Sequence, residues 1–172
     1  FINKSEEYLF NKAKSDEDYL NILAFSIAIE SSRQGSKDEK KILEICNKIC
    51  EPVKIKILNL SSIAFRPTKS GLIIDNKEYE NYKKNECLKS FDAQISGKIK
   101  GWISCKICFT EGGHQDNVFE EMNNLCNWVV SKYKNEKNEF FILIIDTDLK
   151  SQYDELCKKY NNKNNIIIFD HY

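Results

Sequence analysis

Apolar residues recur at helical spacing through the first fifty residues. One stripe predicts a helix over residues 5–32, with a break near Ser15, and its members are Leu20, Leu23, Ala24, Ile27 and Ala28. Gly35 interrupts this pattern, and Ser36 then predicts the start of a second helix with Glu39 at the capping-box position. Ile42, Leu43, Cys46 and Ile49 supply its buried face.

The middle of the chain changes from helical to strand-like spacing. Residues 53–57 alternate with period two and predict a short strand. Residues 63–75 predict extended chain with a turn around Pro67 and Gly71, and residues 76–86 are polar and predict an exposed segment.

A hairpin is predicted from Phe91 to Phe109, with a turn at residues 96–98. Side chains two residues apart share a face of a sheet. The apolar set is therefore expected to face the core. The polar set is expected on the other face, and it consists of Asp92, Gln94, Ser104 and Lys106.

The rest of the chain alternates between helix and strand. Residues 116–134 predict an amphipathic helix, residues 139–148 a strand buried on both sides, residues 149–160 a helix and residues 165–172 a last strand. This order predicts an α/β fold. We expect a single domain over residues 1–172, with a helical part at 1–50 and a sheet core at 53–172.

The composition of the chain indicates where the protein is expected to act, but it says little about what the protein does. Lysine plus arginine equals aspartate plus glutamate at 26 each, so the net charge of zero gives no support for nucleic-acid binding. No apolar run approaches the roughly 20 residues of a membrane span, and no signal peptide is evident, so we expect no membrane partner. Seven cysteines is an odd number, and most lie in apolar patterns. These features indicate free thiols in a reducing cytoplasm rather than a disulfide framework.

The polar residues of the hairpin occur in an order that resembles a known nuclease motif. A helix with Glu39 precedes a strand with Asp92, a strand with Ser104-Cys105-Lys106 and another helix. This order resembles the PD-(D/E)xK nuclease superfamily, and within it the type II restriction endonucleases. The resemblance implies a restriction-endonuclease-like core, in which a central mixed β-sheet is flanked by helices.

The resemblance also implies a chemistry. Phosphodiester hydrolysis uses hard divalent cations held by oxygen ligands, and a cation that orients water and offsets developing charge. Asp92, a second acid and the carbonyl of Cys105 would hold Mg²⁺, for which Mn²⁺ can substitute. Lys106 would position the attacking water, and Glu39 would support a second metal or the water network.

This chain departs from the family motif at two positions. Ser104 stands where the second acid is expected, and Phe91 stands where a proline is usual. In a subgroup of restriction endonucleases with Ser-x-Lys, a glutamate from the following helix replaces the acid. Thirteen residues separate Lys106 from Glu120, which resembles that arrangement. Rival positions remain open, and they are Glu121, Glu111 and Asp116.

A second resemblance concerns residues 33–39, "RQGSKDE". This stretch is similar to the Arg-x-Gly-Ser-x-x-Glu opening of archaeal Holliday-junction resolvases and many restriction enzymes. The glutamate of that motif projects toward the metal site and corresponds to Glu39, with Glu30 as an alternative. Candidate DNA contacts come from this stretch and from the glycine-containing loop: Arg33, Gln34, Ser36, Lys37, His114, Gln115 and Asn117. Arg66 and Lys69 are further candidates.

Simpler interpretations compete with each of these assignments. Asp92 and Lys106 can form an ion pair on a solvated face, and Glu39 can be a capping-box residue alone. Cys105 and Cys108 have a zinc-like spacing, but they point to opposite faces of a strand, which favours buried thiols. Asp146 and Asp148 end a buried strand, where a turn-forming role is favoured over a role in a cleft.

The sequence therefore predicts a Mg²⁺-dependent type II restriction endodeoxyribonuclease that cleaves double-stranded DNA. A palindromic target would imply a homodimer, and the system would include a cognate DNA methyltransferase. Two alternatives stay open. One is a structure-specific nuclease of the resolvase kind, and the other is a DNA-binding module with a decayed nuclease site.

Overall fold

The computed structural model describes residues 4–60, 64–108 and 116–170, the side chains of residues 27–36 and 116 excepted. The chain forms two compact units, Phe1–Asp38 and Glu39–Tyr172. The first unit contains helix α1 (Glu6–Ser15) and the N-terminal part of α2 (Glu17–Cys50). Within the described residues, no helix has the length and apolar character needed to cross a membrane.

The helical region differs from the sequence prediction at one point. The predicted break near Ser15 is confirmed, and Asp16 caps α2 by accepting a hydrogen bond from the Tyr19 N–H at 2.9 Å. The predicted second start at Ser36 is wrong, since α2 continues unbroken to Cys50. A glycine such as Gly35 costs only about 1 kcal/mol in a helix interior, which is not enough to end a long helix. Glu39 is therefore not a capping-box residue.

The second unit is built on a five-stranded mixed sheet. The strands of the chain are β1 (Ile55–Asn59), β2 (Arg66–Pro67), β3 (Ile73–Ile74), β4 (Ala93–Gly97), β5 (Gly101–Cys108), β6 (Phe140–Thr147) and β7 (Ile166–Phe169), and a short helix α3 is Asn76–Tyr79. The strand order in the five-stranded sheet is β1-β4-β5-β6-β7, with β1, β4 and β5 antiparallel and β5, β6 and β7 parallel. β2 and β3 form a separate two-stranded hairpin, which lies with α3 between β1 and β4 in the chain.

Helices cover both faces of the sheet. Helix α4 (Asp116–Ser131) connects β5 to β6, and helix α5 (Lys150–Tyr160) connects β6 to β7. Both connections join neighbouring parallel strands in the same direction across the sheet, so right-handed crossovers place both helices on one face. The two helices pack with Trp102, Phe141 and Leu143 in one core cluster. Ile42 and Leu43 of α2 pack in a second cluster with Ala93, Ile103, Cys105 and Ile144. The fold is α/β, with a mixed central sheet flanked by helices.

The covered sheet corrects the expectation for the hairpin. The face that carries the polar set is not open to solvent, because Trp102 and Ser104 on β5 are only 5% and 4% exposed. Trp102 on this face packs in the core cluster that α4 and α5 form with the sheet. The polar residues are therefore concentrated where β4 and β5 separate, rather than along a solvated face.

We expect Gly101→Ala to destabilise the second unit strongly. A Cβ atom at this position would lie 2.2 Å from the Phe140 carbonyl oxygen, which belongs to the backbone of the neighbouring strand. Relief requires β5 and β6 to move apart at the centre of the sheet, at a cost of about 1–3 kcal/mol or more. Urea unfolding would measure this loss, with Ser131→Ala at the exposed end of α4 as the control. An unchanged midpoint would contradict the close approach of the two strands.

Candidate active site

The site forms where β4 and β5 separate. The N–H of Asp92 still bonds the Ile103 carbonyl at 2.9 Å, but the N–H of Phe91 turns away to the Phe65 carbonyl at 2.8 Å. β5 continues to Cys108 beyond this point. The N–H of Cys105 donates instead to Asp92 Oδ2 at 2.8 Å. The Asp92 carboxylate thus takes the place of a strand partner and is fixed against β5.

Lys106 lies at the centre of the site. Its Nζ donates to the Cys105 carbonyl at 2.8 Å, to Asp92 Oδ2 at 3.2 Å and to Glu39 Oε1 at 3.3 Å. Ser104 Oγ lies 3.5 Å from Asp92 Oδ2, at the limit of a hydrogen bond. The structure therefore brings together five residues that the sequence selected, although Glu39 is 67 positions from Lys106.

Helix α2 positions Glu39 through the residues that follow it. Positions three and four apart share a helix face, so Glu39 lies on the same side as Ile42 and Leu43. Both are buried against Ala93, Ile103 and Cys105 of the hairpin. Because these contacts hold this face of α2 on the sheet, the Glu39 carboxylate reaches Lys106.

Burial separates this cluster from an ordinary surface ion pair. The side chains of Lys106, Asp92 and Glu39 are 17%, 24% and 26% exposed. Exposed pairs contribute little because water screens them, whereas partly buried pairs interact more strongly. The ion pair of Asp92 with Lys106 is therefore present, but it lies in a partly buried site rather than on a fully solvated face.

The electrostatics of the cluster fix the charge of Lys106. Burial alone lowers the pKa of the ammonium, but the carboxylates of Asp92 and Glu39 outweigh burial, so the pKa is raised above 10.5. Burial raises the pKa of Glu39 above 4.5, although Lys106 lowers it in part. Lys106 is therefore a cation at neutral pH, which suits it to orient water or to offset negative charge rather than to act as a base.

The donor atoms of the site match a hard divalent cation. Asp92, Glu39 and the Cys105 carbonyl all offer oxygen, which Mg²⁺ and Mn²⁺ prefer. Across the described residues, no group of three or more His, Cys, Asp or Glu side chains is arranged to hold a metal. Within the described residues, the Cys105 carbonyl is the third oxygen that a cation could use beside Asp92 and Glu39.

The cysteines do not form a competing metal site. None of the seven is in a disulfide, and Cys105 and Cys108 are buried. Burial, with smaller effects of Asp92 and Glu39, raises the pKa of the Cys105 thiol to about 12. Cys105 and Cys108 are three residues apart on β5, so their side chains point to opposite faces, which does not favour a shared metal.

The structure does not join Glu120 to this cluster. Glu120 is exposed and lines a shallow groove with Gln152, Glu155 and Lys159 of α5. Its neighbour Glu121 lies on another side of α4 and pairs with Lys89 at 2.5 Å. Lys89 has the smallest of several effects on the pKa of Glu39, which it lowers. The pair with Lys89 does not place Glu121 at the cluster, so Glu120 and Glu121 both stay open as the second acid. Glu111 and the Asp116 side chain lie outside the described residues.

Lys89 was missed by sequence reasoning. It lies in the segment that leads to Asp92 and is 67% exposed, with one carboxylate partner on α4. The only signal in the sequence is its position three residues before Asp92. The pairing with Glu121 depends on how α4 packs, which the local pattern does not contain.

The predicted DNA-contacting residues are only partly described. Lys37 and Asn117 are exposed. The side chains of Arg33, Gln34 and Ser36 lie outside the described part of the chain, as do His114 and Gln115. The Arg66 guanidinium lies 3.9 Å from the centre of the Tyr79 ring, which is a stabilising cation–π contact. Lys69 is exposed.

The chain was compared with protein-family models, curated proteins and solved structures. No family model, no curated protein and no solved structure matches it. The function of the chain is therefore inferred from the motif and from the geometry of the site.

The raised pKa of Lys106 predicts a pH dependence of stability. Because the folded-state pKa exceeds the unfolded value, the stabilisation is complete below pH 10.5 and is lost as the pH rises through the folded pKa. Urea unfolding of the wild type and Lys106→Met from pH 7 to 12 would test this. We expect their difference in unfolding free energy to be constant up to about pH 10 and to change above it. A difference that changes between pH 7 and 9 would contradict this assignment.

Proposed function

We propose that the chain is a metal-dependent endodeoxyribonuclease of the type II restriction kind, which hydrolyses phosphodiester bonds in double-stranded DNA. One observation carries the proposal. Oxygens of Asp92, Glu39 and Cys105, from three separate elements, converge on the Lys106 ammonium in a partly buried site. Two carboxylates and a lysine on a helix and a diverging hairpin fit the order of the PD-(D/E)xK motif. The sheet topology is compatible with a restriction-endonuclease-like core.

Each residue of the site has a role in this proposal. Asp92 and the Cys105 carbonyl would hold Mg²⁺ or Mn²⁺, with Glu39 as a further oxygen ligand. The bound cation would act as a Lewis acid toward the phosphate and lower the pKa of water. Lys106 stays protonated, so it orients the attacking water and offsets charge on the phosphate. Ser104 would hold Asp92 in place, and the missing acid would come from Glu120, with Glu121, Glu111 and Asp116 as alternatives.

The proposal extends to partners and assembly. A restriction enzyme of this size acts on a palindromic site as a homodimer, so that two sites address two strands. A cognate methyltransferase would protect the DNA of the host. The exposed residues Lys37 and Asn117 would be among the DNA contacts, together with Arg33, Gln34, Ser36, His114 and Gln115.

The first test is incubation of the folded protein with unmethylated genomic DNA, with Mg²⁺ and with EDTA. Discrete bands that require Mg²⁺ on a gel would support sequence-specific cleavage. A smear that requires Mg²⁺ would support a nuclease without that specificity. Absence of cleavage with Mg²⁺ and with Mn²⁺, in a sample shown to be folded, would overturn the nuclease proposal.

A second candidate is a DNA-binding module with a decayed nuclease site. The observation that favours it is Ser104 in place of the second acid, with the Lys106 ammonium bonded by both carboxylates. Calorimetry separates the two candidates. The nuclease requires measurable binding of Mg²⁺ or Mn²⁺, whereas a decayed module would bind DNA with no detectable binding of either ion.

A further inference from the structure

A cavity of about 830 Å³ opens at the end of the sheet away from Lys106. Its lining includes Trp102 at the start of β5, which lies four residues before Lys106, or roughly 13 Å along the strand. The turn between β2 and β3 forms one wall. Gly71 in this turn has φ 99°, and a Cβ there would lie 2.6 Å from the Lys132 carbonyl oxygen. This close contact fixes the wall against the end of α4, and the volume is that of a ligand site.

A buried carboxylate lies in the lining of this cavity. Glu139 is 7% exposed, and its Oε2 accepts hydrogen bonds from Trp102 Nε1 at 3.2 Å and from the Tyr133 hydroxyl at 2.5 Å. The Asn135 side chain holds the main chain of Glu139 with two hydrogen bonds of 2.7 Å. Burial, with the Glu139 carboxylate, raises the pKa of Tyr133, so its hydroxyl remains a donor. The carboxylate is therefore rigidly positioned.

One oxygen of this carboxylate is open for a ligand. Within the described part of the chain, the hydrogen bonds to the Glu139 side chain end on Oε2, and none ends on Oε1. Oε1 is accessible from the cavity rather than fully buried, and an ionised carboxylate can only accept hydrogen bonds. Because Glu139 also lines the cavity, a ligand with N–H donors would satisfy Oε1.

The other residues that line the cavity favour a ligand of particular charge and shape. The lining has four exposed lysines and only two glutamates. The lysines are Lys100, Lys132, Lys134 and Lys137. The excess of positive charge favours an anion such as a phosphate. Phe65 and Tyr133 are half-buried and line the cavity together with the apolar Leu72 and Ile73. Aromatic and apolar walls favour a planar ring.

We propose that this cavity binds a guanine nucleotide, with the base at Glu139 and the phosphate at the lysines. The Watson–Crick edge of guanine carries two adjacent N–H donors, at N1 and N2, which match a carboxylate acceptor. Adenine carries one donor group on this edge, at N6, beside an unprotonated N1, so it can give Oε1 one hydrogen bond where guanine can give two. The site is separate from Lys106, and this inference does not depend on the proposed nuclease activity.

Calorimetry with the folded full chain tests the proposal without any cleavage assay. We expect GMP to bind, AMP to bind at least about tenfold more weakly, and guanosine to bind more weakly than GMP because it lacks the phosphate. A single-stranded oligonucleotide that begins with a 5′-phosphorylated guanosine separates two sources of the ligand. Binding of GMP alone indicates a free nucleotide, whereas binding of both indicates that the end of a strand is also accepted. Absence of GMP binding at millimolar concentration would overturn the proposal.

Two variants assign the contacts. Glu139→Gln keeps the shape but turns an amide donor toward the cavity or toward Trp102, so GMP affinity should fall about tenfold or more. Lys134→Ala with Lys137→Ala leaves the carboxylate intact and should reduce the preference for GMP over guanosine. Lys158→Ala on α5 does not line the cavity and is the control. If Glu139→Gln does not fold, the lysine variant decides. Equal affinity for GMP and guanosine in the wild type would contradict the lysine contact.

Discussion

Lys106→Ala should abolish Mg²⁺-dependent DNA cleavage while the protein stays folded. Within the described residues, the Lys106 ammonium is the cation that contacts all three oxygens of the site, which belong to Asp92, Glu39 and Cys105. Loss of one group that stabilises developing charge lowers rates about 10²–10³-fold, and loss of water orientation adds to this. Single-turnover cleavage of a defined DNA site, read on a gel, would measure the decrease.

The same substitution should not abolish metal binding. Removal of the ammonium frees two carboxylates that it contacts, and it removes a competing positive charge within 3.3 Å of both. Calorimetry with Mn²⁺ should give an affinity equal to that of the wild type or higher. Lys56→Ala, on the exposed side of β1, is the matched lysine control and should retain cleavage. Wild-type cleavage by Lys106→Ala would show that Lys106 has no catalytic role.

Local patterns predict the elements of the second unit well, because each depends on near neighbours in sequence. The period-two alternation placed β5, and the apolar run at residues 140–145 placed β6 as a strand buried on both faces. The stripe of α4 is confirmed by the burial of Met122, Leu125, Cys126 and Val129. In each case the residue spacing alone determines which side chains share a face.

Features that depend on distant contacts were not predictable in the same way. Gly35 suggested a helix break, but the local cost of glycine is small, and the helix continues through it. Alternation placed the polar set of the hairpin on one face, but the sequence of the hairpin does not show that Trp102 on that face packs with α4 and α5. Glu120 was selected by spacing from Lys106, whereas the packing of α4 brings Glu121 to Lys89.

The candidate site shows both kinds of inference at once. Asp92 and Lys106 lie on one hairpin, and strand alternation was enough to place them together. Glu39 came only from the resemblance of residues 33–39, since no local rule relates positions 67 apart. Ile42 and Leu43 are buried against the hairpin, and this packing brings Glu39 into contact with Lys106.

Asp92→Asn should have the opposite effect on metal binding from Lys106→Ala. Asparagine can still accept the Cys105 N–H, now 2.8 Å from Asp92 Oδ2, so the hairpin should keep its shape. The negative charge is lost, however, and a neutral amide is a much weaker ligand for a hard cation. We expect Mn²⁺ affinity to fall below detection and cleavage to fall about 10³-fold or more. The unfolding free energy should decrease by only about 1–2 kcal/mol, since Lys106 keeps its bonds to Glu39 and Cys105.

The two variants together test whether Asp92 and Lys106 have separate roles in the site. If Asp92 holds the metal and Lys106 acts on water and phosphate, Asp92→Asn loses both metal binding and cleavage, and Lys106→Ala loses cleavage alone. Asp154→Asn, exposed on α5, is the matched control and should lose neither. Retention of Mn²⁺ affinity by Asp92→Asn would place the metal elsewhere and refute Asp92 as its ligand. A decrease of metal affinity in both variants would instead mean that the ammonium preserves the geometry of the carboxylates, and Lys106 would then be a positioning residue.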